Sequence, residues 1–316
     1  MTLPTTRKPI PAESAVDESF ASGPDGTRLY VRHRRGPTEL TAVMSDGIVC
    51  DGFIYKYLWD DLSHAVGVAH WNYRGHGRSA LPVDGERISV EAHGADLDAV
   101  RRHLGDPPVV LIGHSFGTQV ALEAYRLRRE RIAAMVLLCG SFGRVTHTFH
   151  GSDVLANVLP NLIEFVGRHP KLARGLWSRV PVGVAVRVAA MTGEIDPRLV
   201  AAADMEPYFQ HVAHVDFAMF LRMLSLAGEH NAEDLLPSID VPVLVIAGDR
   251  DAFTPPAVSQ AMAEAIPDAE LLMLPGGTHV APLEHHELVA LRIEKFLGDR
   301  GLIEVKRSKW PPAPTA

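Results

Sequence analysis

Ser115 stands at the centre of the run Gly113-His114-Ser115-Phe116-Gly117. A serine hydroxyl is a poor nucleophile at neutral pH and needs a base to take its proton. The run follows the wholly apolar stretch 109–112 and precedes a stretch with helical spacing. A G-x-S-x-G turn between strand and helix holds its serine at the apex of a sharp, strained bend. Small residues two places before and after let strand and helix approach closely. The bend exposes the hydroxyl and aims the backbone N–H of Phe116, at the helix N-terminus, toward a developing oxyanion. The expected chemistry is nucleophilic attack on a carbonyl. His114 reads as a pocket-wall residue rather than a second base.

The base must come from elsewhere in the chain, which has sixteen histidines. His279 follows Pro275-Gly276-Gly277-Thr278, after a short strand and before a terminal helix. His285 and His286 open that helix and read as solvated or capping residues. An acid is offered by 243–251, Val-Leu-Val-Ile-Ala-Gly-Asp-Arg-Asp, a buried strand ending in a turn with Asp249 and Asp251. Nucleophile, acid and base then follow in that chain order.

These groups need a frame to bring them together. Residues 18–22 and 27–33 flank Pro24-Asp25-Gly26 and predict an antiparallel hairpin. Apolar runs at 41–45, 66–71, 109–112, 133–139 and 243–247, with a shorter one at 270–274, predict further strands. Continuous apolar runs suit strands buried on both faces. Helical spacing appears at 90–104, 118–129, 256–266 and 285–297. Alternating strands and helices imply a doubly wound α/β sheet. From about 141 to 237 the rhythm breaks, and helical patterns replace strands. Phe217, Phe220, Leu221 and Leu224, for example, fall on one face. The organisation expected is a core over 18–140 and 238–302, a helical cap or lid at 141–237, and flexible tails at 1–17 and 303–316.

Composition bounds the function classes. The chain has 316 residues, 47% hydrophobic and 22% charged, as in an ordinary soluble protein. With 31 basic against 38 acidic residues the net charge is −7, which argues against nucleic acid as the partner. The two cysteines, Cys50 and Cys139, make neither a disulfide framework nor a metal-ligand pattern. No apolar run approaches the ~20 residues that span a bilayer, and the first residues lack the apolar core of a secretory signal. A cytoplasmic protein without metal or cofactor is expected; a homodimer is left open.

Four blocks carry a resemblance: Ser45-Asp46-Gly47; Asn72-Tyr73-Arg74-Gly75-His76-Gly77-Arg78-Ser79; the Ser115 turn; and the Asp251/His279 pair. In these, over about residues 18–300, the chain resembles the α/β-hydrolase superfamily, in its cap-bearing esterase, lipase-like and haloperoxidase-like branch. The resemblance implies an α/β-hydrolase fold: a mostly parallel eight-stranded sheet flanked by helices, with a helical cap inserted between strands. It makes Asp251 the acid that orients His279, and Asp249 a turn or surface residue. It also assigns the second oxyanion donor to the backbone N–H of Ile48. The family's D-x-R-G-x-G-x-S block has Asn72 for its Asp, with Arg74 and Ser79 expected to hold the loop. The family's His-Gly block has Asp46 for its His, which puts a carboxylate near the mouth of the site. Asp46 reads either as an Asx-turn residue or as a group with a substrate-orienting or acid/base role. Enzymes of this fold that open epoxides or remove halide from haloalkanes carry an Asp at the elbow, which Ser115 disfavours.

The expected reaction is hydrolysis of a small-molecule carboxylic ester through an acyl-enzyme, with a hydrophobic acyl ester or monoacylglycerol-like substrate. C–C bond cleavage, lactone hydrolysis and perhydrolysis share the triad, and a non-catalytic ligand-binding receptor or scaffold is the reading of another class. Apolar surface for a substrate is offered by Phe142, Phe149, Phe165, Trp177, Tyr208, Phe209, Phe217 and Phe220, with Met191, Met205, Met219 and Met223. Phe53 and Tyr57, four apart, could share one helical face and either line the pocket or pack under the cap; Cys50 reads as a passive small residue.

Overall fold

The structure, a computed structural model, describes residues 15–148, 151–177 and 195–304. Its strands are β1 (Asp17–Ser22), β2 (Arg28–Arg34), β3 (Thr41–Ser45), β4 (Gly67–Trp71), β5 (Val109–His114), β6 (Ile132–Leu138), β7 (Val243–Gly248) and β8 (Ala269–Leu274). The described helices are α1 (Lys56–Leu62), α2 (Val90–His103), α3 (Phe116–Leu127), α4 (Val145–Thr148), α5 (Val154–Arg168) and α6 (Pro170–Trp177). They continue with α7 (Ala202–His214), α8 (Phe217–Glu229), α9 (Pro256–Ala265), α10 (Ala281–Glu284) and α11 (His286–Asp299).

The eight strands form one sheet in the order β1-β2-β4-β3-β5-β6-β7-β8. β2 pairs antiparallel with β1 and β4, and the other neighbouring pairs are parallel. Alternate residues of each central strand enter separate cores. Val109 and Leu111 pack with Leu97 of α2, Val120 of α3 and Met262 of α9. Val110 and Ile112 pack with Leu58 of α1 and Phe296 of α11 on the other face. Both sets are fully buried, so the strands read as unbroken apolar runs rather than alternating ones.

α4 to α8 lie between β6 and β7. The two ends of this insertion meet: Gly143 bridges Asn231, Arg144 N–H donates to the His230 carbonyl at 3.0 Å, and Ala232 N–H donates to the Phe142 carbonyl at 2.8 Å. Within the insertion, Leu159 and Val166 of α5 pack on Leu221 of α8.

The differences from expectation are local. α1 lies in a stretch read only for its aromatic residues; its apolar Leu58, Trp59 and Leu62 are buried against the sheet. β1 begins at Asp17, inside the expected tail, and Ile303 packs into the core rather than starting a tail. The tail expectations for 1–14 and 305–316 lie outside the described residues, as do Phe149, Met191 and the Trp177 side chain. The loop after β4 is held as the resemblance implies. Arg74 Nε donates to Asp96 at 2.7 Å, and the Ser79 hydroxyl donates to the Asn72 carbonyl at 2.7 Å. Asn72 Oδ1 accepts from Arg78 N–H at 3.0 Å, so the amide serves the turn as well.

Candidate active site

β5 ends at His114 and α3 begins at Phe116, so Ser115 alone makes the turn. Its backbone lies at φ 53°, ψ −117°, a region that residues with a Cβ rarely occupy. Close packing holds it there. A Cβ on Gly113 would lie 2.3 Å from the Gly117 carbonyl oxygen, and one on Gly117 would lie 2.1 Å from the Ser45 carbonyl oxygen. Ser115 N–H donates to the Leu138 carbonyl at 2.9 Å, which ties the turn to β6. Serine at a helix N-cap usually accepts a bond from the first turn. The Ser115 side chain makes no cap bond; its Oγ lies 2.9 Å from His279 Nε2.

His279 sits in the loop after β8, and two neighbours fix that loop. The buried Glu284 carboxylate accepts from Thr278 N–H at 2.7 Å and from the Thr278 hydroxyl at 2.8 Å. His114 Nε2–H donates to the His279 carbonyl at 2.9 Å. Because a carbonyl only accepts, this bond sets the His114 tautomer. Burial, reinforced by the nearby His279, pushes the His114 pKa down to about 4, so this ring is neutral at pH 7.

His279 Nδ1 lies 2.9 Å from Asp251 Oδ2 and 3.1 Å from Oδ1. A proton on Nδ1 leaves the Nε2 lone pair facing the Ser115 hydroxyl. Asp251 is itself fixed: Oδ1 accepts from Phe253 N–H and Thr254 N–H, both at 2.9 Å. The single Thr254 hydroxyl proton is shared between Asp251 Oδ2, at 2.7 Å, and the Cys139 carbonyl, at 2.8 Å. Burial alone would raise the Asp251 carboxyl, but the His279 charge and these hydrogen bonds hold it below the ordinary carboxylate range. Asp249 is exposed and, among the described residues, its side chain accepts only a turn N–H, from Gly276 at 2.7 Å.

Ser115 and His279 open on a cavity of about 630 Å³. Ile48, Phe116, His114, Phe53, Phe217 and Phe220 line it. α5 contributes Leu155, Val158, Leu159 and Leu162, and α7 contributes Met205, Tyr208 and Phe209. Among the described residues its wall carries no Asp, Glu, Lys or Arg. The apolar residues named from sequence divide. Met219 and Met223 pack in the sheet core instead of the cavity, and Phe165 is exposed. Tyr57 parts from Phe53: it stacks on His286, with ring centroids 4.2 Å apart, and donates to Asp204.

Asp46 is the correction. It neither lines the cavity nor makes an Asx turn; its carboxylate points into the protein and meets His70. A carboxylate at that depth needs a donor, and β4 supplies one. Thr254, Glu284, Phe253 and the α5 face escaped the sequence reading. Thr254 had a signal, since a threonine before a proline three residues after an acid is placed to cap that acid's loop. Glu284 had none, because its partners lie in the loop it folds back upon.

Comparison with known proteins identifies the family and the fold. A family model described as serine aminopeptidase, S33 matches residues 40–286. A polyketide synthase of Burkholderia thailandensis, ThaQ, is 27% identical over 87% of this chain, which spans 12% of that protein. The uncharacterized hydrolase YugF of Bacillus subtilis is 22% identical over 86% of this chain and 95% of its own length. The lipase LipV of Mycobacterium tuberculosis is 30% identical over 55% of this chain and 62% of its own. An esterase from Exiguobacterium antarcticum superposes with a TM-score of 0.72 at 18% identity, over 89% of this chain and 99% of that one. A bromoperoxidase from Bacillus anthracis gives 0.71 at 18%, over 90% and 100%. These two likenesses speak to the fold. The chain therefore belongs to the serine aminopeptidase S33 family of α/β-hydrolases.

Proposed function

We propose that the chain is a serine esterase acting on a neutral carboxylic ester with a hydrophobic acyl group. The observation that carries this reading is the Ser115–His279–Asp251 relay opening on an apolar cavity. His279 Nε2 takes the Ser115 proton as Oγ attacks the ester carbonyl carbon. The carbonyl electron pair moves onto oxygen, and the N–H groups of Phe116 and Ile48 receive that oxyanion. On collapse the alcohol leaves with the proton from His279, and an acyl-enzyme remains. Water then gives its proton to His279, attacks the acyl carbon, and Ser115 leaves with its proton restored. Asp251 holds the His279 tautomer and stabilises the imidazolium.

The cavity wall supports a neutral substrate. A peptide amino terminus calls for a carboxylate, and a dioxo acid calls for a cation; neither charge lines this wall among the described residues. The helices between β6 and β7 serve as a cap, since α5, α7 and α8 supply most of the apolar lining. The test is labelling by a fluorophosphonate, with Ser115→Ala as control, together with turnover of p-nitrophenyl esters of increasing acyl length. Label lost in the variant, and turnover peaking at one chain length, are expected. A folded wild type that takes no label and turns over no ester would overturn the reading.

A further inference from the structure

The segment between β3 and α1 carries a buried polar pair that the mechanism above does not use. Asp46 Oδ2 lies 2.6 Å from Nε2 of His70 on β4, and each side chain is 1% exposed. Asp46 Oδ1 has no hydrogen-bond partner among the described residues. Burying an acceptor without a partner is costly, so the position of this carboxylate calls for a reason. It directly precedes the Gly47-Ile48 peptide, whose N–H is the second oxyanion donor in the esterase reading.

The main chain around that peptide is fastened at nearly every step. The Tyr55 hydroxyl donates to the Ser45 carbonyl at 2.6 Å, and Trp71 Nε1–H donates to Ser45 Oγ at 3.0 Å. The Tyr73 hydroxyl donates to the Asp46 carbonyl at 2.7 Å. Val49 N–H donates to His76 Nε2 at 3.3 Å, and Val49 itself sits at φ 55°. A β-branched residue there holds a conformation that only its surroundings can enforce. Each of these bonds acts on the backbone or on Ser45. The Asp46 side chain joins the Ser45–Trp71 bond in tying this segment to β4, and its placement also turns the carboxylate away from the place where an oxyanion would form.

We propose that Asp46 and His70 are a positioning pair that aims the Ile48 N–H at the oxyanion. This rests on the esterase reading. The bond to His70 fixes the Asp46 side chain, and the Asp46 carbonyl held by Tyr73 fixes the plane of the Asp46–Gly47 peptide. Together they set where the next N–H points. The hydrogen bond matters here rather than the charge. Asparagine at 46 can still accept from His70, and glutamine at 70 still places a donor near the imidazole Nε2 position.

The experiment compares Asp46→Ala and His70→Phe with Asp46→Asn and His70→Gln in the full chain. Three readouts are needed: kcat and KM on a p-nitrophenyl ester, the fraction of Ser115 titrated by a fluorophosphonate, and Ki for a trifluoromethyl ketone. The ketone adds Ser115 Oγ at its carbonyl carbon and places an alkoxide among the oxyanion donors. Asp46→Ala and His70→Phe should lose about 10- to 100-fold in kcat with KM within about 2-fold. Ki for the ketone should rise by a similar factor. The Asn and Gln variants should stay near wild type. The proposal is overturned if Ki is unchanged in Asp46→Ala, whether kcat holds or falls only with the titrated fraction. It is also overturned if Asp46→Asn is as damaged as Asp46→Ala, since charge would then be what counts. An active wild type with an unaffected Asp46→Ala sinks the positioning pair alone. A wild type without label or turnover sinks the esterase reading itself.

Discussion

The ends of β5, β7 and β8 and the helices between β6 and β7 are built on different principles. At the strand ends, polar groups are tied to named partners: Asp251 to Thr254, Thr278 to Glu284, and His114 to the His279 carbonyl. In the insertion, apolar contact dominates, and Val154, Val158, Phe165 and Leu172 remain exposed. Directed bonds fix geometry to a fraction of an ångström, whereas apolar contact fixes volume and tolerates exchange. The chemistry should therefore be brittle at the strand ends, and the choice of substrate adjustable in the insertion.

The sharpest way to break this contrast is at the relay. Ser115→Ala should lower ester kcat by about 10³-fold or more, and Asp251→Asn by about 10³- to 10⁴-fold with KM little changed. Steady-state kinetics on a p-nitrophenyl ester would measure both. A loss of only a few-fold in Asp251→Asn would mean that His279 needs no oriented tautomer, and the brittle region would not be where these bonds lie.

Acid should act through the buried histidines of the sheet domain, with His211 of α7, which burial also holds below the ordinary value, the insertion's contribution. Burial holds His76 and His114 down to about 4, and His93 to about 3. Their folded values lie below the ordinary histidine value of about 6.5, so between those limits the unfolded chain binds more protons. Stability should be level above pH 7 and fall as the pH drops from about 6.5 toward 4. Each histidine adds a slope of up to about 1.4 kcal/mol per pH unit. Urea midpoints between pH 7.5 and 5 would record it. His93 Nε2 is a buried acceptor without a partner among the described residues, packed edge-on to Tyr73 and Phe116. His93→Phe should therefore make the fall shallower. An unchanged slope would place the acid sensitivity elsewhere.

The insertion should respond in a different currency. Leu162 of α5 lines the cavity and is half-buried. Leu162→Trp would fill part of the space open to a long acyl chain. kcat/KM for long-chain esters should drop about 10-fold, as a few methylenes lose their contacts, while acetate esters change little. Equal losses on short and long chains would show that this face carries geometry as well as volume.

The sequence exposes these two regions unequally, and the reasons are physical. The central strands are buried on both faces and leave unbroken apolar runs, while the edge pair β1 and β2 was marked by the turn at Pro24-Asp25-Gly26, so all eight could be read with small errors at their ends. The Ser115 turn could be read because close backbone approach excludes a Cβ at Gly113 and Gly117. His279 stood out among sixteen histidines because a Gly-rich turn must deliver it. Partners that fold back from a distance left no mark: Glu284 reaches Thr278, and His70 reaches Asp46, only once the chain is folded. The cavity face of α5 was equally hidden. Leu155, Leu159 and Leu162 have the spacing of any amphipathic helix, and spacing alone does not say whether a cavity or a core lies opposite.

The smallest effect separates two neighbouring acids. Asp249 and Asp251 close the same strand, two residues apart, and composition gives no reason to prefer either. Asp251 is buried with its carboxylate on His279, whereas exposed Asp249 holds only the Gly276 N–H. Asp249→Ala should cost about 1 kcal/mol of stability, the worth of one hydrogen bond in a surface turn, and leave kcat within about 2-fold. Thermal melts and ester kinetics on the same sample would check both. A large kcat loss would mean that the turn carrying Gly276 transmits its position to His279, three residues on. The Glu284 clamp on Thr278 argues against that, because it fixes the loop on the near side of His279 independently of the turn.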